Sequence, residues 1–99
     1  MILNNIEMYY TYVLQSQKDQ KFYTGFTSDL KSRFKSHNDG EVSSTKNRRP
    51  FILVYYEACL DKNDAVHREK YLKTHYGKMF LRKRLNSYLT GQGKSKDSG

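Results

Sequence analysis

Residues 8–27, MYYTYVLQSQKDQKFYTGFT, contain two aromatic and β-branched runs, Met8–Leu14 and Phe22–Thr27, joined by the polar stretch Gln15–Lys21. Such side chains suit a pleated, half-buried surface, and two short runs on either side of a polar linker predict a β-hairpin. Successive strand residues face opposite ways, so Tyr10, Tyr12 and Leu14 share one face of the first strand while Tyr9, Thr11 and Val13 share the other. On the second strand Tyr23 and Gly25 point the same way, and Gly25 is expected to leave open space beside Tyr23.

Downstream of the hairpin, Thr27, Ser28 and Asp29 supply capping side chains for a helix from about Leu30 to Asn38, and Gly40 provides a left-handed stop. Leu30 and Phe34 form its apolar stripe, and Arg33 and His37 fall on that same side. A polar loop, Asp39–Pro50, is long for so small a domain, and long loops tend to carry function. Phe51–Glu57 (FILVYYE) is the most continuous apolar run and predicts a central strand covered on both faces. Asp61 and Asp64 can cap a second helix reaching about Thr74, with Ala65 and Leu72 inward and Glu69 between them in angle. Gly77 is expected to break the chain before a third helix, Lys78–Leu89, that buries Leu81, Leu85, Tyr88 and Leu89. The order β-β-α-β-α-α makes this an α/β fold with a small three-stranded, antiparallel or mixed sheet flanked by helices. Residues 1–89 form a single domain in this reading, and Thr90–Gly99 a disordered tail.

A chain of 99 residues suffices for one domain burying about 60–65% of its unfolded surface. Nine tyrosines against one proline argue for a folded core rather than a low-complexity chain. The single cysteine, Cys59, excludes an intramolecular disulfide and a four-cysteine zinc site. Residues 1–8 show no basic stretch followed by an apolar run, and no eighteen apolar residues occur together. A cytoplasmic, membrane-free protein is the expectation. Net charge is +8, and its excess lies in residues 41–99, with 13 basic and 6 acidic side chains against 5 and 4 in residues 1–40. A basic face of this kind attracts polyanions, nucleic acid first among them.

Phosphodiester cleavage needs a group to activate water, positive charge at the phosphate oxygens and stabilisation of the leaving oxygen. One candidate exists for each. Glu69 can hold a magnesium ion, which often takes only one or two protein carboxylates. Arg33 presents a planar fork that fits a phosphate. His37 can relay a proton, or serve merely as a cation at a helix C-terminus. Tyr12 and Tyr23 can bring two hydroxyls to one water, although a phenol with a pKa near ~10 is a poor base unless Arg33 or a metal lowers it. Singly each tyrosine reads as strand packing, and their order with Arg33, His37 and Glu69 is what reverses that. Lys46, Arg48 and Arg49 in the loop, with Arg82, Lys83 and Arg84 on the third helix, read as nucleic-acid contacts or a solvated face.

Taken in order, Tyr10-Thr11-Tyr12, Tyr23-Thr24-Gly25, Arg33 with His37, and Glu69 resemble the GIY-YIG nuclease superfamily. The resemblance covers about Tyr9–Leu89 and points to its small stand-alone bacterial members, such as the group related to the YhbQ protein. It implies a divalent ion, Mg2+ or Mn2+, held by Glu69, with Tyr12 near the attacking water and Arg33 on the phosphate. It implies further that Tyr23 matches the second motif's tyrosine and that His37 assists proton transfer. Tyr10, Thr11 and Thr24 replace the motif's apolar and glycine positions, which chiefly tune strand packing. Lys73 and Asn86 are candidates for a supporting polar residue beyond the glutamate. The implied substrate is DNA, duplex, nicked or branched, chosen by shape, by the loop Ser43–Arg49 or with a partner protein, since relatives that select a sequence use additional domains. A DNA endonuclease in repair or processing is the leading reading. A non-catalytic module binding DNA or structured RNA on the same fold is the alternative.

Overall fold

The computed structural model describes residues 6–91, and the hairpin forms where the two aromatic runs lie. Strand β1 spans Tyr9–Ser16 and β2 spans Phe22–Thr27, followed by α1, Leu30–Asn38, and β3, Phe51–Cys59. Three helices follow among the described residues, α2 over Lys62–Leu72, α3 over His75–Arg84 and α4 over Asn86–Gly91. The sheet is antiparallel throughout and its order is β2-β1-β3.

The central strand is therefore β1, and not the apolar run Phe51–Glu57 that the sequence favoured for that place. Hydrogen bonding on both sides buries Thr11–Ser16, whereas β3 is an edge strand and leaves Tyr56 52% exposed. The unbroken apolar run has another origin. Val13 pairs with Tyr55 and Leu14 with Leu53, so Val54 is the extra residue of a β-bulge. Phe51 and Leu53 face the α1 side with Tyr12 and Leu14. Val54 and Tyr55 then both face the α2 and α3 side with Val13, Leu72 and Leu81. Past the bulge, Tyr56 is back on the side of Tyr10, with ring centroids 5.9 Å apart.

Helix α1 begins at Asp29, whose carboxylate accepts from the Ser32 N–H, and ends before Gly40 at φ +80, in agreement with the capping signals. Asp61 caps α2 in the same manner. The break after α2 falls at Lys73–Thr74, and Thr74 is the N-cap of α3, its hydroxyl accepting from the Gly77 N–H. Gly77 accordingly lies inside a helix and breaks nothing. A Cβ there would overlap the Tyr71 carbonyl oxygen, so glycine is what lets α3 approach the end of α2. The expected single third helix is two: α3 starts at His75, its C-cap is Leu85, and α4 follows at Asn86. Of the side chains expected to be buried there, Leu81 is, while Tyr88 is exposed and donates its hydroxyl to Gln15 at 2.6 Å. Thr90 and Gly91 lie in α4, and the rest of the expected tail, 92–99, falls outside the described residues, as do residues 1–5. Among the described residues no helix is long and apolar enough to cross a membrane.

Candidate active site

Tyr12 sits mid-strand in β1, on the α1 side of the sheet, and is 1% exposed. Its ring needs the residue opposite it to be small. Tyr12 pairs with Gly25, and a Cβ on Gly25 would come within 2.6 Å of the Tyr12 hydroxyl oxygen and 2.7 Å of Cζ. The space left by Gly25 is thus taken by Tyr12, not left open beside Tyr23.

Helix α1 brings two side chains to that hydroxyl, because Arg33 and His37 are one turn apart on its inward face. His37 Nε2 lies 2.9 Å from the Tyr12 oxygen and Arg33 Nε lies 3.4 Å from it. The Tyr23 ring packs against His37 with centroids 4.9 Å apart, and against Tyr12 at 6.4 Å. All four residues that the sequence set near the chemistry on this side of the sheet are in fact together.

His37 is wholly buried, and its other nitrogen, Nδ1, lies 2.9 Å from the hydroxyl of Thr45, which is buried too. The Thr45 hydroxyl has the Val42 carbonyl at 3.4 Å as its acceptor. With the Thr45 proton so placed, its oxygen accepts from Nδ1–H, and the lone pair on Nε2 accepts the Tyr12 proton. The tautomer is assigned from this network. Burial, and next the charge of Arg33, bring the His37 pKa down to about 4. His37 is consequently a neutral base at physiological pH and not the helix-terminal cation that was the plainer expectation. Thr45 carried no signal of its own in the sequence, being one polar residue in a polar loop.

Burial also pushes the Tyr12 phenol above its ordinary value; the hydrogen bond and charge of Arg33 pull the other way without overcoming it, and the charges of Tyr23 and Glu69 add to the rise. Arg33 itself is raised, first by its hydrogen bond to Tyr12. Among the described residues Arg33 has no ion pair. Its half-buried guanidinium is held against the Tyr12 phenol, with no ion-paired carboxylate among the described residues.

Glu69 comes from α2, which packs on β1 and β2 and presents Ala65 and Leu72 to the core. Its side chain is 16% exposed, and Oε2 accepts from Lys73 Nζ at 2.8 Å. Oε1 has no hydrogen-bond partner among the described residues. No group of three or more histidine, cysteine, aspartate or glutamate residues gathers to hold a metal among the described residues. A lone carboxylate with one open oxygen does not suit a closed zinc site, but it fits a hard ion such as Mg2+ or Mn2+ that keeps most of its waters.

The six basic residues are dispersed. Arg48 is bound by Asp19 at 2.8 Å and donates to the Lys21 carbonyl, which fastens the long loop to the hairpin turn. Arg49 donates to the Lys46 carbonyl at 2.7 Å, and both side chains are exposed. Arg82, Lys83 and Arg84 are exposed along the last turn of α3.

Comparison with known proteins places residues 8–83 in a match to the family described as the GIY-YIG catalytic domain. The UPF0213 protein SH2523 of Staphylococcus haemolyticus is 40% identical over 67 residues, covering 67% of this chain and 80% of that protein. The UPF0213 protein YazA of Bacillus subtilis is 37% identical over 82 residues, covering 82% of this chain and 78% of that protein. The solution structure of the UPF0213 protein BH0048 from Bacillus halodurans is similar with a TM-score of 0.51 at 29% identity, covering 89% of this chain and 99% of that one.

Proposed function

The chain belongs to the GIY-YIG nuclease superfamily, and from that premise we propose that it is a DNA endonuclease that hydrolyses the phosphodiester backbone with the help of one divalent ion. The observation that carries this reading is Arg33, an arginine without an ion-paired acid among the described residues, set against the Tyr12 hydroxyl, which is in turn bonded to a neutral histidine. A phosphate is the anion this arrangement lacks, and the guanidinium can grip its oxygens in a forked contact.

The residues divide the work between them. A water beside Tyr12 gives a proton to the phenol oxygen as Tyr12 passes its own proton to His37 Nε2, and the hydroxide so formed attacks phosphorus while the P–O bond to the leaving oxygen breaks. The low basicity of His37 in the free protein stems partly from Arg33. A phosphate on Arg33 offsets that charge, so substrate binding strengthens the base when it is needed. Thr45 holds the imidazole in the accepting tautomer, and Tyr23 packs it into place. Glu69 would hold Mg2+ or Mn2+, which supplies positive charge to the leaving oxygen.

The exposed cations Lys46, Arg49, Arg82, Lys83 and Arg84, together with Arg48, draw the DNA by its phosphates. Such contacts do not read bases. The preferred substrate is therefore selected by structure, as in nicked or branched DNA arising in repair or processing in the cytoplasm, with a partner protein available to narrow the choice. The test is a panel of labelled duplex, single-stranded, nicked and branched DNAs incubated with Mg2+, Mn2+ or chelator, alongside Glu69→Gln. Metal-dependent cutting that disappears in Glu69→Gln is the expected result. Intact DNA in every lane, with binding unchanged by the substitution, would instead establish a binding module.

A further inference from the structure

Two depressions line the edge of the sheet next to β2. One, of about 260 Å³, lies beside Tyr23, Thr24 and Lys73 and is floored by Leu72 and Leu81. The other, of about 720 Å³, is walled by Lys21, Arg48 and Arg82. Phe22 and Lys78 line both, so the two are parts of one trough. Its near end is at Lys73, the residue that binds Glu69, and its far end is under the Arg48 latch of the long loop.

The charge in this trough is one-sided. Its walls carry Lys21, Arg48, Lys73, Lys78 and Arg82, against Asp19 among the lining residues and Glu69 next to Lys73. Both acids are already taken, Asp19 by Arg48 and Glu69 by Lys73. Lys21, Lys78 and Arg82 make no ion pair among the described residues. Lys78 and Arg82 are four residues apart on α3, which places them about 6 Å apart along one face of the helix. Phe22 and Leu89 add apolar wall against which sugars and bases can lie.

We infer that this trough is the track for the DNA backbone on one side of the scissile phosphate, with Lys78 and Arg82 as its principal phosphate contacts and Lys21 at its far end. The inference rests on the catalytic reading of Tyr12, Arg33 and Glu69, because it is their position that makes one end of the trough the cutting end. It separates Arg82 from its neighbours Lys83 and Arg84, which do not line the trough. Lys78, which neither the composition nor the motif pattern singles out, becomes a phosphate-binding side chain where the two depressions meet.

The deciding experiment is the salt dependence of binding, with chelator present, of a fluorescently labelled nicked duplex to the unaltered protein, Lys78→Gln, Arg82→Gln and the double variant. Lys62→Gln serves as an equal charge change at the other end of β2, where Lys62 lies 6.0 Å from the Phe26 ring. Removing one cation that neutralises a duplex phosphate should make the slope of log K against log salt shallower by about 0.9, and removing both by about twice that. Lys62→Gln should leave the slope unchanged. Equal slopes for the unaltered protein and the double variant, or an equal change in Lys62→Gln, overturn the track. Cutting in Mg2+ is followed in parallel: a protein that cuts while the slopes stay equal loses only the track, and one that never cuts while the slopes fall loses only the nuclease reading.

Discussion

Two arginines hang on opposite faces of the same sheet, each next to a tyrosine, and their surroundings differ in one respect. Arg68 of α2 is clasped by Glu57, with Nε and Nη2 at 2.9 Å from its carboxylate oxygens, and its guanidinium rests on the rings of Phe80 at 4.8 Å and Tyr71 at 5.3 Å. Burial raises the Glu57 carboxyl, yet Arg68 and the Tyr55 hydroxyl outweigh this and hold it below its ordinary value. Every charge in that cluster has its answer inside the fold. Arg33 of α1 has instead a phenol at 3.4 Å and a histidine kept neutral, with no ion-paired carboxylate among the described residues. A satisfied arginine holds the protein together; an arginine whose only printed partner is a phenol oxygen, with no ion pair among the described residues, keeps its charge available, and the proposed phosphate contact would use it.

Exchanging the roles of the two is the strongest way to break this comparison. Arg33→Ala should lower DNA cleavage by about 100- to 1,000-fold, as when one preorganised donor is removed from a developing charge, while leaving the melting temperature nearly unchanged. Arg68→Ala should do the reverse. It should cost about 1–2 kcal/mol of stability through the half-exposed pair and the two ring contacts, with the cleavage rate per folded molecule intact. Single-turnover rates and urea melts on both variants decide the matter, and a stability loss in Arg33→Ala as large as in Arg68→Ala would erase the distinction.

The same contrast appears in pH. His37 has a folded pKa of about 4 against an ordinary 6.5, so below 6.5 the unfolded chain takes up a proton that the native state refuses. Stability is whole above 6.5 and falls as pH drops toward 4, by about 3 kcal/mol if the full shift is expressed. Denaturant unfolding across that window should show the fall, and His37→Gln should flatten it. The Arg68–Glu57 pair retains its charges over most of the same window and should contribute little to the slope. An equally steep fall in His37→Gln would place the proton elsewhere.

Two further effects bear on the Tyr12 side. Gly25→Ala puts a methyl where the Tyr12 ring now lies, and overpacking of this kind costs about 1–3 kcal/mol. Cleavage should fall further than stability, because the hydroxyl must leave its place beside His37. Thr45→Val keeps the shape but strands the buried His37 Nδ1–H, at about 1–3 kcal/mol, and should shift the pH–rate profile, whereas Thr45→Ser should restore it. The least effect is expected from Arg48→Ala. Its pairing with Asp19 is exposed to solvent and contributes little to stability, so thermal melts should barely move. A large loss there would mean that the loop latch positions Thr45 as well.

Much of this was open to reading in the chain alone. The hairpin, the shared face of Tyr12 and Leu14, the Asp29 cap and the inward pairing of Arg33 with His37 all follow from periods of two and 3.6 residues and from local capping. The family follows from the order of those residues, because chemistry restricts side-chain type at a few positions even where the neighbours drift to Tyr10, Thr11 and Thr24. The central place of β1, the bulge at Val54, the burial of Thr45 beside His37, the filling of the Gly25 space by Tyr12 and the entry of Gly77 into α3 could not be read that way. Each depends on which surface another segment brings up from elsewhere along the chain. Local sequence determines the conformation a segment prefers and the face it would bury, since those are short-range steric and solvation effects. Only tertiary packing determines which buried groups meet, and at this site the meeting of Tyr12, Arg33, His37 and Thr45 sets the tautomer, the pKa shifts and the unanswered charge.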